Sequence, residues 1–132
     1  MKRRRLPIDL IFADDEESVR MTMELLLPRR VESYRAASDG AEALSLFDES
    51  PSDVIVTDLR MPQMDGVALA REVRRRDAQR GKHTYIVVTS AYCEEDVPEL
   101  AESGLFDAVI EKPLSPPKLF STLECYCDGD IG

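Results

Sequence analysis

Short apolar runs alternating with longer segments of helical periodicity constrain this chain more than any other feature. The apolar runs lie at 8–13, 34–37, 54–57, 85–89 and 108–110, and the helical patterns at 17–27, 41–48, 67–77, 97–103 and 116–127. Val19, Met23, Leu26 and Leu27 fall on one face of the first helical segment, and Val67, Ala70 and Val73 on one face of the third. The run Val54-Ile55-Val56-Thr57 is β-branched throughout and does not alternate. That is the pattern of a strand covered on both faces of a parallel sheet. Five strands alternating with five helices predict a parallel α/β sandwich. With 132 residues, 43 % of them hydrophobic, the chain has room for one domain (1–132, core about 8–127) and the apolar content to fill its core.

The boundaries carry their own chemistry. Asp39 stands three residues before Glu42 and Asp96 three before Glu99, both at capping-box spacing. Ser115-Pro116 reads as an N-cap followed by the first helical residue. Pro28 should end the first helix. Pro98 fits only a first helical turn, so the fourth helix should be short and the loop before it, 91–95, correspondingly long.

Charge narrows the partners. The chain has 17 basic and 26 acidic residues, a net of −9. Four of the basic residues are Lys2, Arg3, Arg4 and Arg5, leaving 13 against 26 elsewhere, or −13. So acidic a body is repelled by nucleic-acid phosphates and by anionic membranes, which excludes direct nucleic-acid and membrane binding as its main business. The Lys2 to Arg5 cluster reads as a solvated tail or as a contact for an acidic partner. Three cysteines cannot pair fully, Cys125 and Cys127 are too close for an ordinary disulfide, and no second pair completes a zinc site. Pro7 and Asp9 break any signal-peptide apolar region, and no run approaches a membrane span. A soluble, cytoplasmic protein is expected.

In parallel α/β sheets the ligand crevice lies beyond the carboxyl ends of the strands. The first strand ends in Ala13-Asp14-Asp15-Glu16, and the third in Thr57-Asp58, followed by Leu59-Arg60-Met61-Pro62. The fourth ends in Thr89-Ser90-Ala91 and the fifth in Glu111-Lys112-Pro113. Each alone has an ordinary reading: an acidic helix start, a turn aspartate, a loop Lys-Pro. Together they set three carboxylates, a hydroxyl and an ammonium on one rim. Two like charges about 4 Å apart repel by roughly 4 kcal/mol at an effective dielectric of 20, so Asp14, Asp15 and Asp58 call for a cation or shifted protonation. Carboxylate oxygens without thiol or imidazole favour a hard ion such as Mg²⁺. A carboxylate beside a metal and a lysine can attack phosphorus, because both cations offset charge on the transferring oxygens. Met61-Pro62 should shape the turn after Asp58 with Met64 beneath it, Met21 and Met23 should pack in their helix, and His83 has no evident partner.

From about Ile8 to Cys125 the sequence resembles the receiver domain of bacterial two-component response regulators. The matching stretches are Phe12-Ala13-Asp14-Asp15-Glu16-Glu17, Ser38-Asp39-Gly40-Ala41-Glu42-Ala43-Leu44, the run from Asp53 through Asp58 to Asp65-Gly66, Val88-Thr89-Ser90-Ala91 and Glu111-Lys112-Pro113. The resemblance implies a flavodoxin-like (βα)5 doubly wound fold with strand order 2-1-3-4-5. It implies that Asp58 is the phosphoacceptor, that Asp15 binds Mg²⁺ directly and Asp14 mainly through water, and that the backbone carbonyl of Arg60 completes the protein's share of the metal shell. Lys112 would pair with the phosphoryl oxygens, and Ser90 would be the switch hydroxyl, with Thr89 pointing into the sheet. A histidine kinase or phosphotransfer protein would supply the phosphoryl group, and the product would carry a charge of about −1.5 to −2 at Asp58. The partner face would be formed by the fourth helix, fifth strand and fifth helix, acting on a downstream protein or on an output domain missing from this chain. Residues 128–132 are expected as a short tail.

The sequence departs from the family in one place. The position three residues before Lys112, where the family usually carries Tyr or Phe, is Val109, and the segment 104–113 is one residue longer than the commonest spacing. A valine cannot perform the ring rotation of the usual switch, and Phe106 is the nearby aromatic. Arg60 and Tyr92, two positions after Asp58 and Ser90, would flank the path of the attacking water, with Tyr92 as a shield. An aspartyl phosphatase of the haloacid-dehalogenase type needs a second Asp two residues after its nucleophile, where this chain has Arg60. Neither GxxxxGK[ST] nor GxGxxG occurs. The expectation is therefore a signalling switch rather than an enzyme, with an unphosphorylated receiver-like interaction module as the alternative.

Overall fold

A computed structural model of the chain describes residues 5–91, 98, 100 and 102–129. Five parallel strands form one sheet in the order β2-β1-β3-β4-β5: β1 (Leu6–Ala13), β2 (Val31–Ala37), β3 (Val54–Asp58), β4 (Tyr85–Ser90) and β5 (Ala108–Glu111). Among the described residues, helices α1 (Glu17–Leu26), α2 (Gly40–Glu49) and α3 (Gly66–Arg80) precede a C-terminal helix, Pro116–Gly129. The expected order 2-1-3-4-5 and the flavodoxin-like fold are both present.

Two apolar clusters sandwich the sheet. One joins Ile8, Leu10, Phe12, Val54 and Val56 to Met23 and Leu27 from the α1 side and to Leu119 and Leu123 of the C-terminal helix. The other joins Ile11, Ala13, Ile55 and Ile86 to Ala43 and Phe47 of α2 and Leu69, Ala70 and Val73 of α3. Alternate residues of β1 and β3 thus feed opposite clusters, which is why β3 needs a continuous apolar run. Val54, Ile55 and Val56 are all fully buried.

Several boundaries follow the sequence. Pro28 sits in a short 3₁₀ turn, Leu27–Arg29, directly after α1. Asp39 caps α2 by accepting the Glu42 N–H at 2.8 Å. The Glu42 carboxylate turns to the Ser38 N–H and hydroxyl, at 2.7 and 2.9 Å, one residue before the capping-box donor. Other boundaries differ. β2 begins at Val31, three residues earlier than the apolar run suggested, because an edge strand tolerates exposed polar residues such as Glu32 and Ser33. β1 begins at Leu6, with an irregularity between Leu6 and Asp9 around Pro7. The C-terminal helix continues to Gly129 and so takes in the start of the expected tail.

Two side chains depart from expectation. Met21 is 61 % exposed, because two residues of helix turn it away from the buried Met23. His83 does have a partner: its Nε2 lies 2.8 Å from Asp107 Oδ1. The fourth helical segment falls largely outside the described residues, though Pro98, Leu100 and Glu102 within it are helical. Residues 92–95 of the preceding loop, the Asp96–Glu99 capping pair, Tyr92 and the Lys2, Arg3 and Arg4 cluster also lie outside them.

Candidate functional site

The carboxyl edge of the sheet gathers the rim residues. Asp14 follows the last residue of β1, where its N–H donates to the Ala37 carbonyl at 3.1 Å, and Asp58 is the last residue of β3. Both are buried, at 2 % and 7 % exposure, and Asp15 is exposed. One carboxylate oxygen from each of Asp14, Asp15 and Asp58 can be chosen so that the three lie within 4.8 Å of one another. Lys112 follows β5, held by its N–H donating to the Ser90 carbonyl at 2.9 Å. Its Nζ lies 2.9 Å from Asp58 Oδ2, 3.9 Å from Asp14 Oδ2 and 4.0 Å from Glu16 Oε1. Ser90, the buried last residue of β4, pairs in register with Glu111 beside Lys112. Arg60 is exposed in the loop after β3. Sequence reasoning thus named residues that the fold brings to one edge.

The electrostatics follow from this crowding. Burial raises the Asp14 carboxyl above its ordinary value; the Glu16 N–H and the Lys112 ammonium pull it back, and Asp58 and Glu16 push it up again. Burial lowers the Lys112 ammonium, but its hydrogen bond to Asp58 and the charges of Asp14, Asp58 and Glu16 together outweigh this and leave it raised. Three hard oxygen donors from carboxylates, two of them buried, match Mg²⁺ and offer nothing to a soft metal.

Supporting residues escaped the sequence reading. Arg20 of α1 donates from Nη1 to the Asp14 carbonyl at 2.7 Å, fixing the backbone that aims the acidic pair. Glu16 adds a third carboxylate within 4.0 Å of Lys112, after Asp58 and Asp14. Gly66 opens α3 against the end of β3: a Cβ there would lie 2.6 Å from the Asp58 carbonyl oxygen. Asp65 caps the same helix by accepting the Ala68 N–H at 2.9 Å. The glycine was visible within the Asp53-to-Gly66 stretch, but its reason is the close approach of two backbones.

The buried residues that Val109 packs against are aliphatic. Val88, Leu59 and Leu100 form a small buried cluster, with Val109, Val67 and Phe106 against it. Phe106 reaches the α2–α3 side of the core as well, and lines a cavity of about 260 Å³ with Leu59, Arg60 and Val67.

The family model for the response regulator receiver domain matches residues 10–124. This chain belongs to that family. It is 32 % identical over 103 residues to the regulatory protein AtoC of Escherichia coli, covering 77 % of this chain and 22 % of AtoC. It is 34 % identical over 109 residues to the transcriptional regulatory protein SrrA of Staphylococcus aureus, covering 82 % of this chain and 43 % of SrrA. The receiver thus spans less than half the length of these two relatives. Among solved structures, a Francisella response regulator receiver domain superposes with a TM-score of 0.76 at 26 % identity, covering 93 % of this chain and 98 % of that one. The Vibrio cholerae chemotaxis protein CheY4 shares the fold at a TM-score of 0.77 and 24 % identity, covering 90 % and 98 %. Receiver domains generally bind Mg²⁺ at an acidic pocket, and the Asp14, Asp15 and Asp58 cluster fits one.

Proposed function

We propose that this receiver is a phosphorylation-driven switch in which Asp58 accepts a phosphoryl group from the phosphohistidine of a histidine kinase or phosphotransfer protein. The observation that carries the reading is the 2.9 Å contact of Lys112 Nζ with Asp58 Oδ2 beside two further carboxylates. An Asp58 oxygen attacks phosphorus, the new O–P bond forms as the P–N bond breaks, and the imidazole leaves with the electron pair and takes up a proton. Lys112 orients the attacking carboxylate and then offsets the charge of the phosphoryl oxygens. Asp14, Asp15, Asp58 and the Arg60 backbone carbonyl would hold Mg²⁺, which supplies further charge neutralisation when bound. Ser90, at the adjacent strand end, serves as the hydroxyl that follows the phosphoryl group. The receiver is then not an enzyme with a separate substrate; it assists its own phosphorylation and hydrolysis.

The output is a shift of the face formed by Pro98, Leu100 and Glu102 with β5 and the C-terminal helix, acting in the cytoplasm on a partner protein or an attached output domain. Among the described residues no helix is long and apolar enough to cross a membrane. Phosphoramidate, whose P–N bond stands in for phosphohistidine, tests the transfer. With Mg²⁺ present, ³¹P NMR should show an acyl phosphate on the parent and none on Asp58→Asn. An equal signal in both would remove Asp58 from the reaction, and none in either would favour the unphosphorylated interaction module, the reading to which Val109 lends itself.

A further inference from the structure

The amino edge of the sheet, opposite Asp58, carries an open groove of about 1310 Å³ whose lining includes Arg5, Leu6, Leu26, Arg29, Arg30 and Phe120. Leu6 N–H donates to the Arg30 carbonyl at 2.7 Å, which sets the start of β1 beside the turn that carries Arg29 and Arg30. The Arg30 guanidinium lies 4.1 Å from the Phe120 ring centroid, so a cation covers the apolar floor. Arg35, Arg74, Arg75, Arg76 and Arg80 each sit against a carboxylate. Among the described residues, Arg5, Arg29 and Arg30 make no such pair; neither do Arg20, Arg60 and Arg71, but those three do not line this groove. The sequence places Lys2, Arg3 and Arg4 directly before Arg5. Three arginines thus line one groove of a chain whose net charge is −9.

We propose that this groove docks an acidic peptide segment of a partner protein that also presents an apolar side chain. The arginines complement its carboxylates, and Leu6 and Leu26 receive its apolar group beside the Arg30-covered Phe120 ring. Glu32 and Asp128 also line the groove. Carboxylates among the cations suit a discrete segment and oppose a uniformly anionic surface. An extended polyanion would besides meet the strongly acidic remainder of the chain. Because the strands are parallel, this edge is as far from Asp58 as the sheet allows, so docking here is compatible with either phosphorylation state.

Fluorescence anisotropy of the full chain with a fluorescein-labelled nine-residue peptide of Asp and Glu around a central Phe-Leu pair tests this. Binding should saturate, weaken with added salt, and fall about tenfold in the double variant Arg5→Glu/Arg29→Glu, whose two side chains are exposed and leave the core untouched. Replacing Phe-Leu in the probe by Ala-Ala should cost about threefold or more. A single-stranded oligonucleotide of equal charge and phosphatidylserine-containing vesicles should bind more weakly than the peptide. The proposal is overturned if the peptide does not bind, if the double variant binds it equally well, or if the oligonucleotide or the vesicles bind more tightly.

Discussion

Lys112 and Asp58, 54 residues apart in sequence, meet at 2.9 Å between Nζ and Oδ2 at the carboxyl edge of the sheet. The same ammonium stands 3.9 Å from Asp14, so one cation offsets two buried carboxylates. Lys112→Ala should therefore lower stability by about 1–3 kcal/mol at neutral pH, as the carboxylates lose their charged partner. Added Mg²⁺ should recover part of that loss, which thermal melts with and without the ion will read.

Asp14→Asn should act in the opposite sense. Burial raises the Asp14 carboxyl above its ordinary 3.8, so the folded state binds that proton more tightly than the unfolded chain does. The associated stability is complete below pH 3.8 and is lost as the pH rises through the raised value. At pH 7 without metal, Asn should stabilise the fold by about 1 kcal/mol, since it keeps an acceptor for the Glu16 N–H and removes the buried charge. It should also weaken Mg²⁺ binding. Urea melts in chelator and a Mg²⁺ titration measure the two effects.

Tyr34 predicts an alkaline loss of stability. Among the described residues its buried hydroxyl has no hydrogen-bond partner, and burial, then the Glu24 carboxylate, push its pKa up to about 12 from 10.0. The unfolded chain releases the proton first, so this contribution is complete below about pH 10 and disappears as the pH approaches 12. Tyr34→Phe should gain about 1 kcal/mol at pH 7 and lose less than the parent between pH 10 and 12. Denaturant melts across that window compare the two.

Gly66→Ala should strain the end of β3. The new Cβ would meet the Asp58 carbonyl oxygen at 2.6 Å, and that oxygen belongs to backbone. A cost of about 1–3 kcal/mol is expected, together with slower phosphoryl uptake because Asp58 is displaced. A stability measurement paired with a labelling time course separates the two consequences.

What the sequence disclosed tracks how local each cause is. The strand β3 was legible because a core strand must be apolar on both faces, and Asp58 because it ends that run. β2 was legible only from Tyr34 onward, since an edge strand places no such demand on Glu32 and Ser33. Partnerships that close only in three dimensions stayed hidden. Arg20 holding the Asp14 carbonyl, His83 meeting Asp107, and Arg74 joining Asp107 and the Thr84 and Leu105 carbonyls have no spacing rule in one chain. At position 109 the missing aromatic was visible, whereas the Leu59, Val88 and Leu100 packing around Val109 was not.

Intact mass after incubation with acetyl phosphate and Mg²⁺ tests the central claim most directly, run beside Asp58→Asn and a metal-free control. The account predicts one added phosphoryl group on the parent with Mg²⁺ and none in either control. Folded parent protein that gains no mass, or Asp58→Asn that gains as much as the parent, would contradict it.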